Sequence, residues 1–294
     1  MRHRVIVILL LTVLSSDLCT LSAQLLYQVS GNSAMAKSYV LATNKLVDMS
    51  FLDTIPNVFK CFGQCHRVIT EFAMQDYEAL AVLRKAALLP DSVKLRNFYT
   101  EQQYNYIDES LRLTLGMGLD QLARMKPSYL TELYRNELLK KWLHYDDNRS
   151  MEPFFQAVAE ERNMPVIGLD QIGETMFMVF DREPFHWQCE ELYNLIENPE
   201  REIKQENAIR DMYLMGRLTD IAYQVEGPDN NSTISYSDYQ VYCRRNIEWV
   251  KRLHPYLHEG GSFIVLDCIY LGGDKGLLAQ LRKAGYKIKP VNRK

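Results

Sequence analysis

The sequence predicts an α/β fold: a mixed β-sheet core with pseudo-repeated halves, heavily covered by α-helices. Three observations carry this. The stretch from Tyr242 to Val291 runs through an amphipathic segment, a buried apolar segment, a Gly-Gly loop, a second amphipathic segment and a short alternating one, which reads as helix, strand, loop, helix, strand. From Asp76 to Asp147 the apolar residues recur at three-to-four residue intervals, the helical period. Finally, Ser38-Tyr-Val-Leu-Ala-Thr-Asn-Lys-Leu resembles Ser262-Phe-Ile-Val-Leu-Asp-Cys-Ile-Tyr-Leu, as expected of two related halves that bring their strand ends together.

Met1-Arg-His-Arg, the apolar run Val5 to Leu14 and the small-residue stretch ending Leu21-Ser22-Ala23 predict a secretory signal peptide over residues 1–23, cleaved before Gln24. The run is too short to span a bilayer comfortably. Cys19 raises lipid anchoring as the less favoured alternative, because Ser16-Asp17-Leu18 makes a poor lipobox. No later segment reads as transmembrane, so residues 24–294 are expected to form one exported domain, periplasmic or secreted, in a bacterial envelope. The net charge of −3 and the lack of a Lys/Arg-rich face argue against a nucleic-acid partner.

Leu25 to Ser30 and Ser38 to Thr43 predict an opening hairpin, followed by a helix through Cys65 and a strand from Arg67. Helices are expected over Tyr77 to Leu88, Glu101 to Leu113, Ser128 to Trp142 and Glu152 to Arg162. Met164 to Asp170 reads as a buried strand with an acidic end. Three more helical stretches follow, Glu174 to Phe180, Glu183 to Glu197 and Glu200 to Glu226. Gly227 to Thr233 is a surface loop, in which Asn230 and Asn231 head sequons. Gly260 and Gly261 end the next helix, Ser262 to Cys268 is too short and apolar for anything but an interior strand, and Asp274 is a cap for a helix closed by Gly285. Asp267 to Gly273 thus lies where a strand hands over to a helix, the usual ligand position of α/β proteins.

Leu271, Gly272, Gly273, Lys275, Gly276 and Leu277, with Gly285, Tyr286, Pro290 and Val291, resemble the frame of the TraB/GumN family, which includes the Tiki metalloproteases. The Leu89-Pro90-Asp91 and Met125-Lys126-Pro127 turns and the Arg-Asn pair within Arg244-Arg245-Asn246 fit the same frame. The resemblance implies two Gly-x-x-His motifs, a nearby carboxylate and a divalent metal that activates water for peptide hydrolysis. Here both motifs are degenerate. Ala42, Thr43, Asn44 and Lys45 stand at the first, while at the second Asp267 replaces the glycine and Tyr270 the histidine. Glu71 falls on the family's acidic position, and Asp170 on another acidic strand end.

A protonated lysine and a neutral phenol are not metal ligands. No cofactor is therefore expected; manganese, cobalt or zinc enters only if Glu71, Asp170 and Asp267 form a rebuilt site. Charge balance raises the alternative that Lys45 takes the place of the metal's charge beside Glu71 or Asp267, with Tyr270 hydrogen-bonded to a carboxylate. Arg245 is the residue to reach back to an acidic strand end. His254 and His258 lie one turn apart but lack the Glu of a zinc-protease helix, and are read as offsetting a helix dipole. Cys61 and Cys65 are read as buried small hydrophobes, and Cys268 as a buried thiol without a general base. The reading is a pseudoenzyme that binds or scaffolds an unknown peptide, protein or small ligand. A metal-dependent hydrolase with a rebuilt site, or a small-ligand carrier, is the alternative.

Overall fold

A computed structural model describes residues 24–73, 77–226 and 236–292. Residues 1–23, read as a signal peptide and containing Cys19, and the sequon loop lie outside the described residues. Six strands form one sheet in the order β4-β3-β5-β2-β1-β6: β1 (Leu26–Gly31), β2 (Ser38–Thr43), β3 (Arg67–Thr70), β4 (Val166–Gly168), β5 (Ser262–Asp267) and β6 (Tyr286–Pro290). β4, β3, β5 and β2 pair in parallel, whereas β1 runs antiparallel to both of its neighbours. The two similar stretches lie side by side here, Tyr39 against Phe263 through Thr43 against Asp267. Adjacent apolar strands pair this way without duplicated halves, so the repeat stays an expectation of the resemblance.

The helices are α1 (Val58–Phe62), α2 (Tyr77–Ala86), α3 (Glu101–Leu115), α4 (Leu119–Leu122), α5 (Pro127–Leu143) and α6 (Met151–Glu161), then α7 (Ile172–Met176), α8 (Phe185–Glu197), α9 (Pro199–Leu214), α10 (Leu218–Glu226), α11 (Tyr236–Glu259) and α12 (Leu277–Lys283). α3 starts at a capping box in which the Thr100 hydroxyl accepts from the Gln103 amide and the Gln103 side chain accepts from the Thr100 amide. Pro127 opens α5 at a position where its missing N–H costs nothing. α11 ends at Gly260, whose positive φ and close approach to the Ala36 carbonyl exclude any side chain. The expected run Glu200 to Glu226 is two helices, because the chain turns at Gly216 with φ of 70°. Asp274 does not cap α12; that place is taken by Gly276. His254 faces the Tyr286 hydroxyl at 2.8 Å, which joins α11 to β6.

Two main apolar cores result. One packs the sheet between α1, α6 and the later helices, with Phe155, Phe62 and Phe263 stacked at ring separations of 4.9–5.2 Å. The other is helical, built from α3, α4, α5 and α8 around Ile107, Leu111, Leu130 and Leu192. Cys61, Cys65, Cys189 and Cys268 are buried free thiols, and among the described residues no helix is long and apolar enough to cross a membrane. Phe155→Ala removes the shared ring of the aromatic stack and is expected to lower stability by about 3–5 kcal/mol. Urea unfolding with an unchanged m-value would register this as a lower midpoint.

Candidate functional site

The parallel strands β2, β3, β4 and β5 bring their C-terminal ends to one place and deliver Thr43, Glu71, Asp170 and Asp267 there. α11 crosses above them and presents Arg245, Trp249 and Arg252, spaced one and two turns apart on one face. Arg245 is the centre of the arrangement. Its Nη2 donates to Glu71 Oε2 at 3.0 Å, its Nε donates to Asp170 Oδ2 at 2.8 Å, and its Nη1 donates to the Tyr270 hydroxyl. The guanidinium carbon lies 4.4 Å from the Trp249 ring centre and 4.7 Å from that of Tyr270, so aromatic faces cover the charge that the carboxylates neutralise. Side-chain exposure is 4 % for Asp170, 11 % for Arg245 and 16 % for Glu71.

The remaining acceptors are also engaged. Trp249 Nε1 donates to Asp170 Oδ1 at 2.7 Å, and the Asp267 amide donates to Glu71 Oε1 at 3.2 Å. Asp267 itself caps the 3₁₀ turn Cys268–Tyr270, accepting from the Ile269 amide at 3.0 Å. The first degenerate motif is absorbed into packing. The Ala42 carbonyl accepts from the buried Tyr213 hydroxyl, and Asn44 accepts from the Leu46 amide while its Nδ2 points at Cys268 Sγ, 3.7 Å away. Thr43 is buried. Gly272 lets the following loop press on α10, since a Cβ there would sit 1.9 Å from the Leu218 carbonyl.

Two expectations are corrected. Lys45 is exposed and forms no ion pair with Glu71 or Asp267, acting on Asp267 only through its charge; the cation against Glu71 is Arg245, whose helix lies over the strand ends. Tyr270 meets no carboxylate by hydrogen bond; its hydroxyl accepts from Arg245. Sequence reasoning also missed Glu152, in the first turn of α6, whose carboxylate accepts from Thr70 Oγ1. A glutamate at a helix start reads as dipole compensation, so only the α6–β3 contact reveals it.

More carboxyls than cations are gathered here, and their titration reflects it. Burial, then the charge of Glu71, pushes Glu152 up to about 8; the same two causes push Asp267 up to about 7, against the pull of the Ile269 amide and Lys45. Glu71 is raised by burial, which outweighs Arg245. Arg245 is held firmly protonated, since Tyr270, Glu71 and Asp170 overcome its burial. The Cys268 thiol is raised well above its ordinary range by burial and Asp267, so it supplies no thiolate nucleophile.

The donor set does not fit a divalent metal. Both oxygens of Glu71 and both of Asp170 already accept from the protein, and a dication about 4 Å from the guanidinium would meet roughly 8 kcal/mol of repulsion at an effective dielectric of 20. Among the described residues no three His, Cys, Asp or Glu side chains are grouped to hold a metal, and no histidine stands at the strand ends.

Carboxyls that the fold prefers protonated stabilise it at low pH and lose that contribution as pH rises through their folded pKa. Stability contributed by Glu152 and Asp267 is therefore expected to fall between about pH 5 and pH 8, and Glu152→Gln with Asp267→Asn to flatten that slope in urea midpoints. Arg245→Ala strands two buried carboxylates and is expected to cost about 3–5 kcal/mol, measured the same way.

The TraB/PrgY/gumN family model matches residues 25–290. No curated protein and no solved structure matches the chain. With nearly its whole length inside that match, the chain belongs to the TraB/PrgY/gumN family.

Proposed function

We propose that this chain is an exported, non-catalytic member of its family, a binding or scaffold protein of the cell envelope that takes a peptide, protein or small ligand. The observation that carries the reading is the Arg245 clamp. The carboxylates that would serve a metal are hydrogen-bonded to a permanent cation, and tyrosine and lysine stand where the family's motifs imply histidine. Export rests on the basic, apolar and small-residue succession of residues 1–23.

A second reading, a hydrolase with a rebuilt site, draws on one feature: Glu152 and Asp267 hold protons near neutral pH, where a general acid is most effective. In that case Glu71, Asp170, Asp267 and Arg245 would bind and orient the substrate.

Metal content after dialysis against manganese, cobalt and zinc, followed by elemental analysis, tests the first reading. The wild-type protein is expected to retain no stoichiometric metal. One metal per wild-type chain would overturn the proposal. Peptide turnover abolished by Glu71→Ala would establish the second reading, whereas saturable peptide binding without turnover supports the first.

A further inference from the structure

The helical core carries a trough unrelated to the strand-end site. Two adjoining depressions of about 510 and 1110 Å³ share Gln103 and Tyr193 and run between α3 and α8. Their walls hold Glu101, Glu109, Glu190 and Glu197, all exposed, and no lysine or arginine. Phe98, Tyr106 and Tyr193 supply aromatic surface, Tyr106 and Tyr193 meeting edge to face at 6.3 Å.

Acidic helix faces are ordinarily just solvated, so the pairing of these residues decides the matter. Neighbouring acids on the same two helices are neutralised, Asp108 by Arg112 and Glu191 by Arg135. Glu109 and Glu190 have no hydrogen-bond or ion-pair partner among the described residues, and Glu197 has only the Tyr193 hydroxyl at 3.2 Å. The α3 dipole accounts for Glu101 in its first turn. Glu197 closes α8 and stands two residues before Pro199, so the positive end of the α9 dipole lies beside it, while Glu109 and Glu190 sit in mid-helix, away from either end. The trough concentrates unneutralised negative charge on an aromatic surface.

We propose that this trough docks a basic polypeptide segment of a partner protein, with Lys or Arg side chains over the tyrosine faces and against Glu109, Glu190 and Glu197. From His186 to Glu197 the wall extends about 16 Å at the helical rise, room for roughly five extended residues. Guanidinium and ammonium groups satisfy both surfaces at once, by ion pairing with the carboxylates and by stacking on the rings. The inference rests on the binding reading and gives its partner a chemistry. None of its residues touches Arg245, so the two can fail separately.

Fluorescence anisotropy with a labelled peptide alternating arginine and phenylalanine, beside its glutamate-for-arginine counterpart, tests the proposal on the purified protein. Saturable binding of the basic peptide alone is expected, weakened at least about tenfold by Glu109→Lys with Glu190→Lys and also by Tyr106→Ala. These side chains are exposed, and circular dichroism verifies that the variants stay folded. Absence of saturable binding, or equal binding by the charge-reversed variant, would overturn it. So would sedimentation showing that wild-type chains self-associate and that the reversal disperses them, since the trough would then hold a second copy.

Discussion

A guanidinium does not give up its proton at any pH a folded protein survives, so burying one obliges the fold to surround it with acceptors. Arg245 imposes that obligation here. β3 and β4 must end where Glu71 and Asp170 reach it, α11 must lie across the sheet, and Trp249 and Tyr270 must cover its faces. The site is over-supplied in return. Glu152 and Asp267 crowd the same place without cations of their own, and protonation is how the interior tolerates them. A catalytic centre and a packed interior make opposite demands on such groups, and at Ala42, Asn44 and Cys268 the demand met is packing.

The two cores are joined by a common member. α9 sends Ile209 and Tyr213 into the sheet core and leans Ile203 on the helical one. The Tyr213 hydroxyl donates to the Ala42 carbonyl at the degenerate first motif, while Glu202, further up the same helix, accepts from Arg135 of α5. Helical core and strand-end site are thus fastened to opposite parts of one helix.

Strand and helix types were legible wherever one residue chemistry left a single choice. Ser262 to Asp267 could only be an interior strand, and Gly260 could only be a left-handed cap. Boundaries failed where one residue interrupts an otherwise continuous stripe, as Gly216 does between Leu214 and Leu218. At the site, Asp170 and Asp267 were legible as acidic strand ends, whereas Glu71 and the Arg245-Asn246 dipeptide stood out through the family resemblance. The partner of Glu71 could not be chosen from spacing. Lys45 lies within the first motif and Arg245 is far away in sequence, yet the crossing of α11 over the sheet decides between them. Glu152 was hidden for the same reason, its role depending on how α6 lies against β3.

The order of the strands also dictates when this sheet can be assembled. β5 occupies the slot between β3 and β2, and pairs with residues as much as 224 positions earlier in the chain. A chain emerging from the ribosome therefore holds two unjoined pieces of sheet, β1 with β2 and β3 with β4, until residues 262–267 arrive. β1 likewise keeps an open edge until β6 is made. Closure from such distant contacts is intrinsically slow. The sheet remains unfinished through nearly the whole of the chain's synthesis, and the carboxylates of the site are covered only once α11 and β5 are in place.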